Sequence, residues 1–168
     1  MLDASGFNGI VRRATLDDAG ALGTMAAGLV RFHHAIDPQR FFLPNGVEEG
    51  YRRWLSTEIG NPEAIVLVAE HAGAVVGYVY GRIERRDFNM LLSAHAALHD
   101  VFVVEAARRT RAGEALVARF IELVREQGTP RVVLHTATSN TRAQALFRKA
   151  GFRDTMLEMT LETGADDE

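Results

Sequence analysis

Two β-rich runs, Ala64 to Glu70 and Val75 to Ile83, are separated only by the link His71-Ala72-Gly73-Ala74. A short glycine-bearing link between two such runs reads as a hairpin. The strands of a hairpin run antiparallel, so a sheet containing this one cannot be all parallel. Helical and strand patterns alternate around it. Ile10 to Ala14 reads as a short first strand. Thr15-Leu16-Asp17-Asp18 has the form of a capping box. The helix that follows puts Ala19, Leu22, Ala26 and Leu29 on one face and ends near Asp37-Pro38. A second helix, Val47 to Ile59, carries Tyr51, Trp54, Leu55 and Ile59 and is stopped by Gly60-Asn61-Pro62.

Beyond the hairpin, Arg82 to Ala94 is polar and irregular, a loop placed to cover a site. Leu98 to Val104 is a third clear run, followed by an arginine cluster and a helix from about Gly113 to Gln127. Gly128-Thr129-Pro130 ends that helix and turns the chain. Arg131 to Ala137 reads as a strand, Asn140 to Ala150 as a helix closed by Gly151, and Arg153 to Glu162 as a final strand. With no repeat, low-complexity tract or linker, residues 1–168 are expected to form one α/β domain, frayed at 1–8 and 163–168.

Composition narrows the function classes. With no cysteine among 168 residues, disulfides, thiolate metal sites and a cysteine nucleophile are excluded. The net charge of −3 offers little long-range attraction for nucleic acid or anionic membrane. The first residues carry no basic run ahead of an apolar stretch, and no apolar run has bilayer-spanning length. A soluble, cytoplasmic protein is expected.

The most informative stretch runs from Asp100 to Leu116, where an apolar strand enters a basic turn and then a helix that begins with small residues. The first amides of a helix lack intrahelical partners, and the helix dipole adds partial positive charge there. Flanked by arginines, such a terminus suits a pyrophosphate. A solvated basic loop before a surface helix explains the same residues. Other nucleotide motifs are missing: there is no Gly-x-x-x-x-Gly-Lys-Ser/Thr, no Gly-x-Gly-x-x-Gly after a strand and no His-Glu-x-x-His zinc signature.

Arg108-Arg109-Thr110-Arg111-Ala112-Gly113 resembles the coenzyme A-binding motif of the GNAT superfamily of N-acetyltransferases, Gln/Arg-x-x-Gly-x-Gly/Ala after a strand. A second family motif follows in Asn140-Thr141-Arg142-Ala143, Leu146-Phe147 and Ala150-Gly151-Phe152. The order of elements agrees over nearly the whole chain. The resemblance implies a mixed, splayed central sheet of about six or seven strands flanked by helices. It also implies acetyl-CoA as cosubstrate, no metal, an amine acceptor, and homodimers as a common assembly.

Carried over by position, Val101, Phe102 and Val103 would pair with the pantetheine arm like an added strand. The turn amides of Arg109, Thr110, Arg111, Ala112, Gly113 and Glu114 would cradle the pyrophosphate, with charge added by Arg108 and Arg111. Asn140 would contact the cofactor arm, and Phe147 would lie near the thioester sulfur. The chain departs from the pattern twice. Arg111 stands where the motif has its first glycine, so its side chain must point outward or grip a phosphate. Phe147 replaces a tyrosine whose hydroxyl is thought to protonate the leaving thiolate. With a thiol pKa near 8.5, leaving unprotonated costs only about 2 kcal/mol at neutral pH.

The amine needs more help, since deprotonating a lysine-type amine at neutral pH costs roughly 4.6 kcal/mol. His135, on the strand before Asn140, is the first candidate base, and a histidine packed in the sheet is the competing reading. Asp100, at the mouth of the cofactor strand, is the second; it would otherwise bind substrate or cap a turn. His99 adjoins Asp100, and strand alternation lets only one of the two face a site. His95 is a remoter option. His33 and His34 are explained by the dipole at a helix C-terminus, though the resemblance puts them in the region that shapes the acceptor pocket, and adjacent helical residues diverge too much to share a metal. Tyr51 and Trp54 read as core or dimer contacts, and Glu84 to Asp87 as a solvated turn. An acyl-CoA-binding module without catalysis is the alternative to an enzyme.

Overall fold

The computed structural model describes residues 6–164. Its strands are β1 (Ile10–Arg13), β2 (Ala64–His71), β3 (Ala74–Glu84), β4 (His95–Val103) and β5 (Val132–Leu134). They form one sheet in the order β1-β2-β3-β4-β5. The first four are antiparallel neighbours, and β5 joins β4 in parallel. The hairpin expected from the sequence is β2–β3. Among the described residues no helix is long and apolar enough to cross a membrane.

Alternation along the strands builds two cores. Ile65, Leu67, Ala69, Val79 and Leu98 face one side, against α3 (Ala112–Glu126) and Phe147 of α4 (Thr141–Lys149). Val66, Val68, Tyr78 and Tyr80 face the other, against Leu22, Met25 and Ala26 of α1 (Ala19–Ile36) and Leu55 of α2 (Val47–Ile59). A strand buried on both faces reads as a continuous apolar run, as Ala64 to Ala69 does. Phe7, inside the terminus expected to fray, packs into the α3 side of the core. Gly128 and Gly151 close α3 and α4 with backbone in the left-handed region (φ 69° and 99°), which glycine enters without a Cβ clash.

Two expectations need correction. The sheet has five strands, not six or seven, because Arg153 to Glu162 forms no strand among the described residues. That segment stays exposed throughout, with no ladder partner. The strand expected at Arg131 to Ala137 shrinks to Val132–Leu134, since β4 offers it partners only at Ala96, Ala97 and Leu98.

An ion-pair knot fastens β1 to the start of the first helix. Arg12 donates two hydrogen bonds to Asp18 at 2.7 and 2.9 Å and a third to Glu70 on β2 at 3.0 Å. Asp18 is buried and also accepts from the Thr15 backbone N–H at 2.7 Å, half of the capping box. The arginine holds the Asp18 carboxyl below its usual range. Removing one partner of such a pair strands a buried charge. Arg12→Ala is therefore expected to lower unfolding free energy by about 2–4 kcal/mol in urea titrations. The loss should shrink as pH falls through the carboxylate range, where Asp18 becomes neutral.

Candidate functional site: a parted strand edge and a half-buried carboxylate

β4 and β5 pair only through Ala96–Val132, Ala97–Val133 and Leu98–Leu134. Beyond Leu98, β4 runs on to Val103 with β3 on one side and no strand on the other. Val101, Phe102 and Val103 thus present a free edge, the place where an extended ligand adds as a strand. At the end of this edge the chain passes through the turn of Arg108 to Arg111 into α3. Among the described residues, no protein acceptor takes the backbone N–H of Arg109, Arg111, Ala112, Gly113 or Glu114. The first helical bond runs from the Ala115 N–H to the Arg111 carbonyl. Edge and amide cluster together fit a long ligand ending in a pyrophosphate.

Arg109 and Arg111 both adopt the left-handed region, at φ 71° and 68°. Each costs roughly 1–2 kcal/mol relative to ordinary backbone. The conformation explains why the family motif has glycine where Arg111 stands. The Arg111 side chain points outward, and its Nε lies 3.2 Å from the Glu114 carboxylate. Glu114 also accepts from Lys149 at 2.7 Å, and these cations hold its carboxyl below the usual range, Lys149 most strongly. A Cβ on Gly113 would meet Leu146 at 3.6 Å and Val103 at 3.7 Å, ordinary contacts, so the protein's own packing leaves room there.

The β3–β4 ladder shifts register at Tyr80/Gly81: Gly81 pairs with Leu98 and Tyr80 with Asp100, leaving His99 without a partner. This is a bulge, and a bulge re-aims side chains. Ala96 and Leu98 face the α3 side before it, and Val101 and Val103 do so after it. His99 and Asp100 consequently share the α1–α2 side, against the expectation that alternation would separate them. The His99 ring stacks on Tyr80 at 5.4 Å and 23°. The Asp100 carboxylate accepts from the Tyr78 hydroxyl at 2.9 Å. Desolvation raises Asp100 to about 6, against a smaller opposing effect of the Tyr78 hydrogen bond. It also lowers His99 below its ordinary value.

Tyr51, close enough to feel the Asp100 charge, lines a cavity of about 200 Å³ together with Val30, His33, Arg40, Phe41, Phe42 and Pro44. Burial and the nearby Asp100 charge raise the Tyr51 phenol. His33 stacks on Phe41 at 5.0 Å, and desolvation lowers its value. His34 turns away and hydrogen-bonds the Phe41 carbonyl at 2.7 Å. Tyr51, expected in the core, therefore also lines the cavity, while Trp54 packs edge-on against Tyr80 at 4.8 Å.

His135 lies one residue beyond β5 and is exposed. Its charge is close enough to act on His99 and Glu158. His95 is buried, with Nδ1 3.0 Å from the Ser93 carbonyl, so it serves the loop. Asn140 spends its side-chain oxygen capping α4, accepting from the Ala143 N–H at 3.2 Å. Phe147 is buried against Phe152, with centroids 5.8 Å apart. Sequence reasoning passed over Tyr78, Tyr80 and Glu58. Tyr80 donates to buried Glu58 at 2.7 Å, and Arg82 lies 3.8 Å from the same carboxylate. Tyr78 and Tyr80 alternate with Val79 on β3, a spacing that could have marked one polar-tipped face.

Comparison with known proteins defines the class. The model of the Acetyltransferase (GNAT) family matches residues 30–152, more than half of the chain. The chain belongs to this family and is an acetyl-CoA-dependent N-acetyltransferase. It is 24% identical over 144 residues to the uncharacterized N-acetyltransferase YhfO of Bacillus subtilis, covering 86% of this chain and 89% of that one. Its fold resembles the PaiA N-acetyltransferase of Thermoplasma acidophilum in complex with coenzyme A, with TM-score 0.74, 16% identity and 89% and 92% of the two chains covered. It also resembles a predicted acetyltransferase of Clostridium acetobutylicum solved with acetyl-CoA, with TM-score 0.67, 15% identity and 92% and 96% covered.

Two measurements follow. Gly113→Leu fills the space beside the amide cluster and is expected to weaken coenzyme A at least about tenfold by calorimetry, with the fold intact. Unaltered affinity would move the pyrophosphate elsewhere. Between pH 4 and 6 native Asp100 keeps a proton that the unfolded chain has lost, so its contribution to stability falls as pH rises through that window. Asp100→Asn should then be about 1–3 kcal/mol more stable than the parent at pH 7–8 and no more stable at pH 4, read by urea unfolding.

Proposed function

We propose that the chain moves the acetyl group of acetyl-CoA directly to a primary amine held between the free edge of β4 and the cavity beside Tyr51. Asp100 receives the amine proton, directly or through one water. The nitrogen bonds to the thioester carbon, the C–S bond breaks, and the electron pair leaves on sulfur as coenzyme A thiolate. Bond formation makes the nitrogen acidic, so the proton passes to the carboxylate as the amine attacks. Val101, Phe102 and Val103 hold the extended arm of the cosubstrate, and the amides from Arg109 to Glu114 hold its pyrophosphate. A backbone N–H near Val101 or Phe102 stabilises the developing oxyanion. Phe147 brings no hydroxyl, so the thiolate leaves unprotonated at a cost of roughly 2 kcal/mol at neutral pH and takes its proton from solvent afterwards.

The observation that carries this reading is the bulge, which sets a carboxyl with a value of about 6 beside the free edge and within electrostatic reach of Tyr51. A base with that value is ionised at neutral pH yet stronger than an ordinary carboxylate. His135 supports a second reading, in which it takes the proton through water, because its charge reaches His99.

The test is a pH–rate series with acetyl-CoA and a panel of primary amines, read by release of free thiol. The parent kcat/KM should carry a limb near pH 6 that rises with pH. Asp100→Asn should lose that limb and lower kcat by about 10²–10⁴-fold, while binding coenzyme A as before. His135→Ala should keep the limb. If His135→Ala removes it and Asp100→Asn does not, the base is His135. If no primary amine yields thiol from the parent although coenzyme A binds, transfer to a primary amine is overturned.

A further inference from the structure

Among the described residues the Asp100 carboxylate has a single donor, the Tyr78 hydroxyl, 2.9 Å from Oδ2. No donor reaches the other oxygen, Oδ1, and that oxygen is not sealed from solvent. The carboxylate is therefore held at one end and open at the other. The last torsion of an aspartate is broad, so a carboxylate without a partner turns easily about it. A hydrogen bond from a fixed donor removes that freedom.

Tyr78 is such a donor. It lies on β3 two residues from Tyr80, the ladder partner of Asp100, so its side chain crosses diagonally to the carboxylate. Its ring is fully buried in the core layer of Leu22, Val66 and Val68. Burial and the Asp100 charge push the phenol well above its ordinary value, so it stays a donor at any working pH. The groups around Asp100 give it no second hold. Tyr51 of α2 and Tyr80 of β3 feel its charge without bonding to it, and Tyr80 spends its hydroxyl on Glu58. The charges that act on His99 are those of Glu84, Arg82, His135 and Glu58. α1 packs on β4 through Gly28 and Phe102, and among the described residues it brings no charge that acts on the carboxyl.

We propose that Tyr78 is a positioning residue: by holding Oδ2 it turns Oδ1 toward the incoming amine, so that one oriented oxygen takes the proton. Tyr78 touches neither cosubstrate nor acceptor and keeps its own proton throughout. The inference rests on the reading of Asp100 as the base and adds what aims it. The same hydrogen bond favours the ionised carboxylate. Its removal should therefore both loosen the carboxylate and raise the pH at which Asp100 gives up its proton.

The test pairs Tyr78→Phe with Tyr80→Phe, which removes another hydroxyl from the same strand face; both keep the ring and hence the packing. Each is followed by a pH–rate series with acetyl-CoA and an accepted primary amine, and by NMR titration of the Asp100 carboxyl carbon. Tyr78→Phe should carry the rising limb of kcat/KM, and the carboxyl titration with it, upward by about one pH unit. Above the limb, where Asp100 is ionised in both proteins, kcat should stay about tenfold below the parent, with KM for acetyl-CoA unchanged. Tyr80→Phe should leave limb and titration in place. If it moves them equally, the shift reflects a loosened face and the proposal is overturned. A limb that shifts with a full plateau means that Tyr78 tunes the carboxyl without aiming it, which overturns it too. If Tyr78→Phe moves neither limb nor titration while Asp100→Asn abolishes the limb, the base stands and its positioning by Tyr78 is overturned. If the titration moves and the limb does not, or if Asp100→Asn keeps the limb, Asp100 is not the base and both readings fall.

Discussion

The parting of β4 from β5 after Leu98 is the constraint on which the rest of the site depends. A strand within a continuous sheet has both rows of backbone groups occupied, and nothing can be bound along it. Here the parallel pairing stops after three residues, and β4 keeps one row open from His99 to Val103. The same strand then feeds α3, whose first amides also lack partners. One free edge and one free helix terminus, in series on a single stretch of chain, make a track for a long extended ligand. Neither would suffice alone.

The bulge at His99 converts that track into a place for chemistry. An extra residue in β4 reverses the alternation, so the side chains after it face opposite layers from those the regular pleat would assign. Asp100 is thereby turned toward Tyr78 and Tyr51, where desolvation raises it toward neutrality. The same surroundings lower His99 and hold it against Tyr80. Stability is given up here: a carboxyl ionised in a confined place and two arginines in left-handed backbone. Strain of this kind gathers where a ligand or partner is to be received.

Much of the architecture was legible because it depends on local pattern. The hairpin, the helices of residues 19–36 and 47–59, and the basic turn before α3 all follow from periodicity, caps and glycines near in sequence. The strand expected at Arg153 to Glu162 has the right alternation but no ladder partner among the described residues. Periodicity reports what a segment can pair with, not whether a partner edge is in reach. His135 and Asn140 were legible as candidates. Their environments were not, because one is exposed beyond a strand that ends early and the other is engaged in capping α4.

By itself, the order of residues determined the mixed sheet, the two helical layers and the amide-rich turn after β4. These arise from side-chain periodicity and from backbone groups that cannot be satisfied within a helix. Only the tertiary structure decided that His99 and Asp100 share a face, that Tyr51 lines a cavity within reach of the Asp100 charge, and that β5 releases β4 so soon. Each of these depends on the hydrogen-bond register between strands far apart in the chain. A shift of one residue in that register exchanges inside for outside, and no local pattern records it.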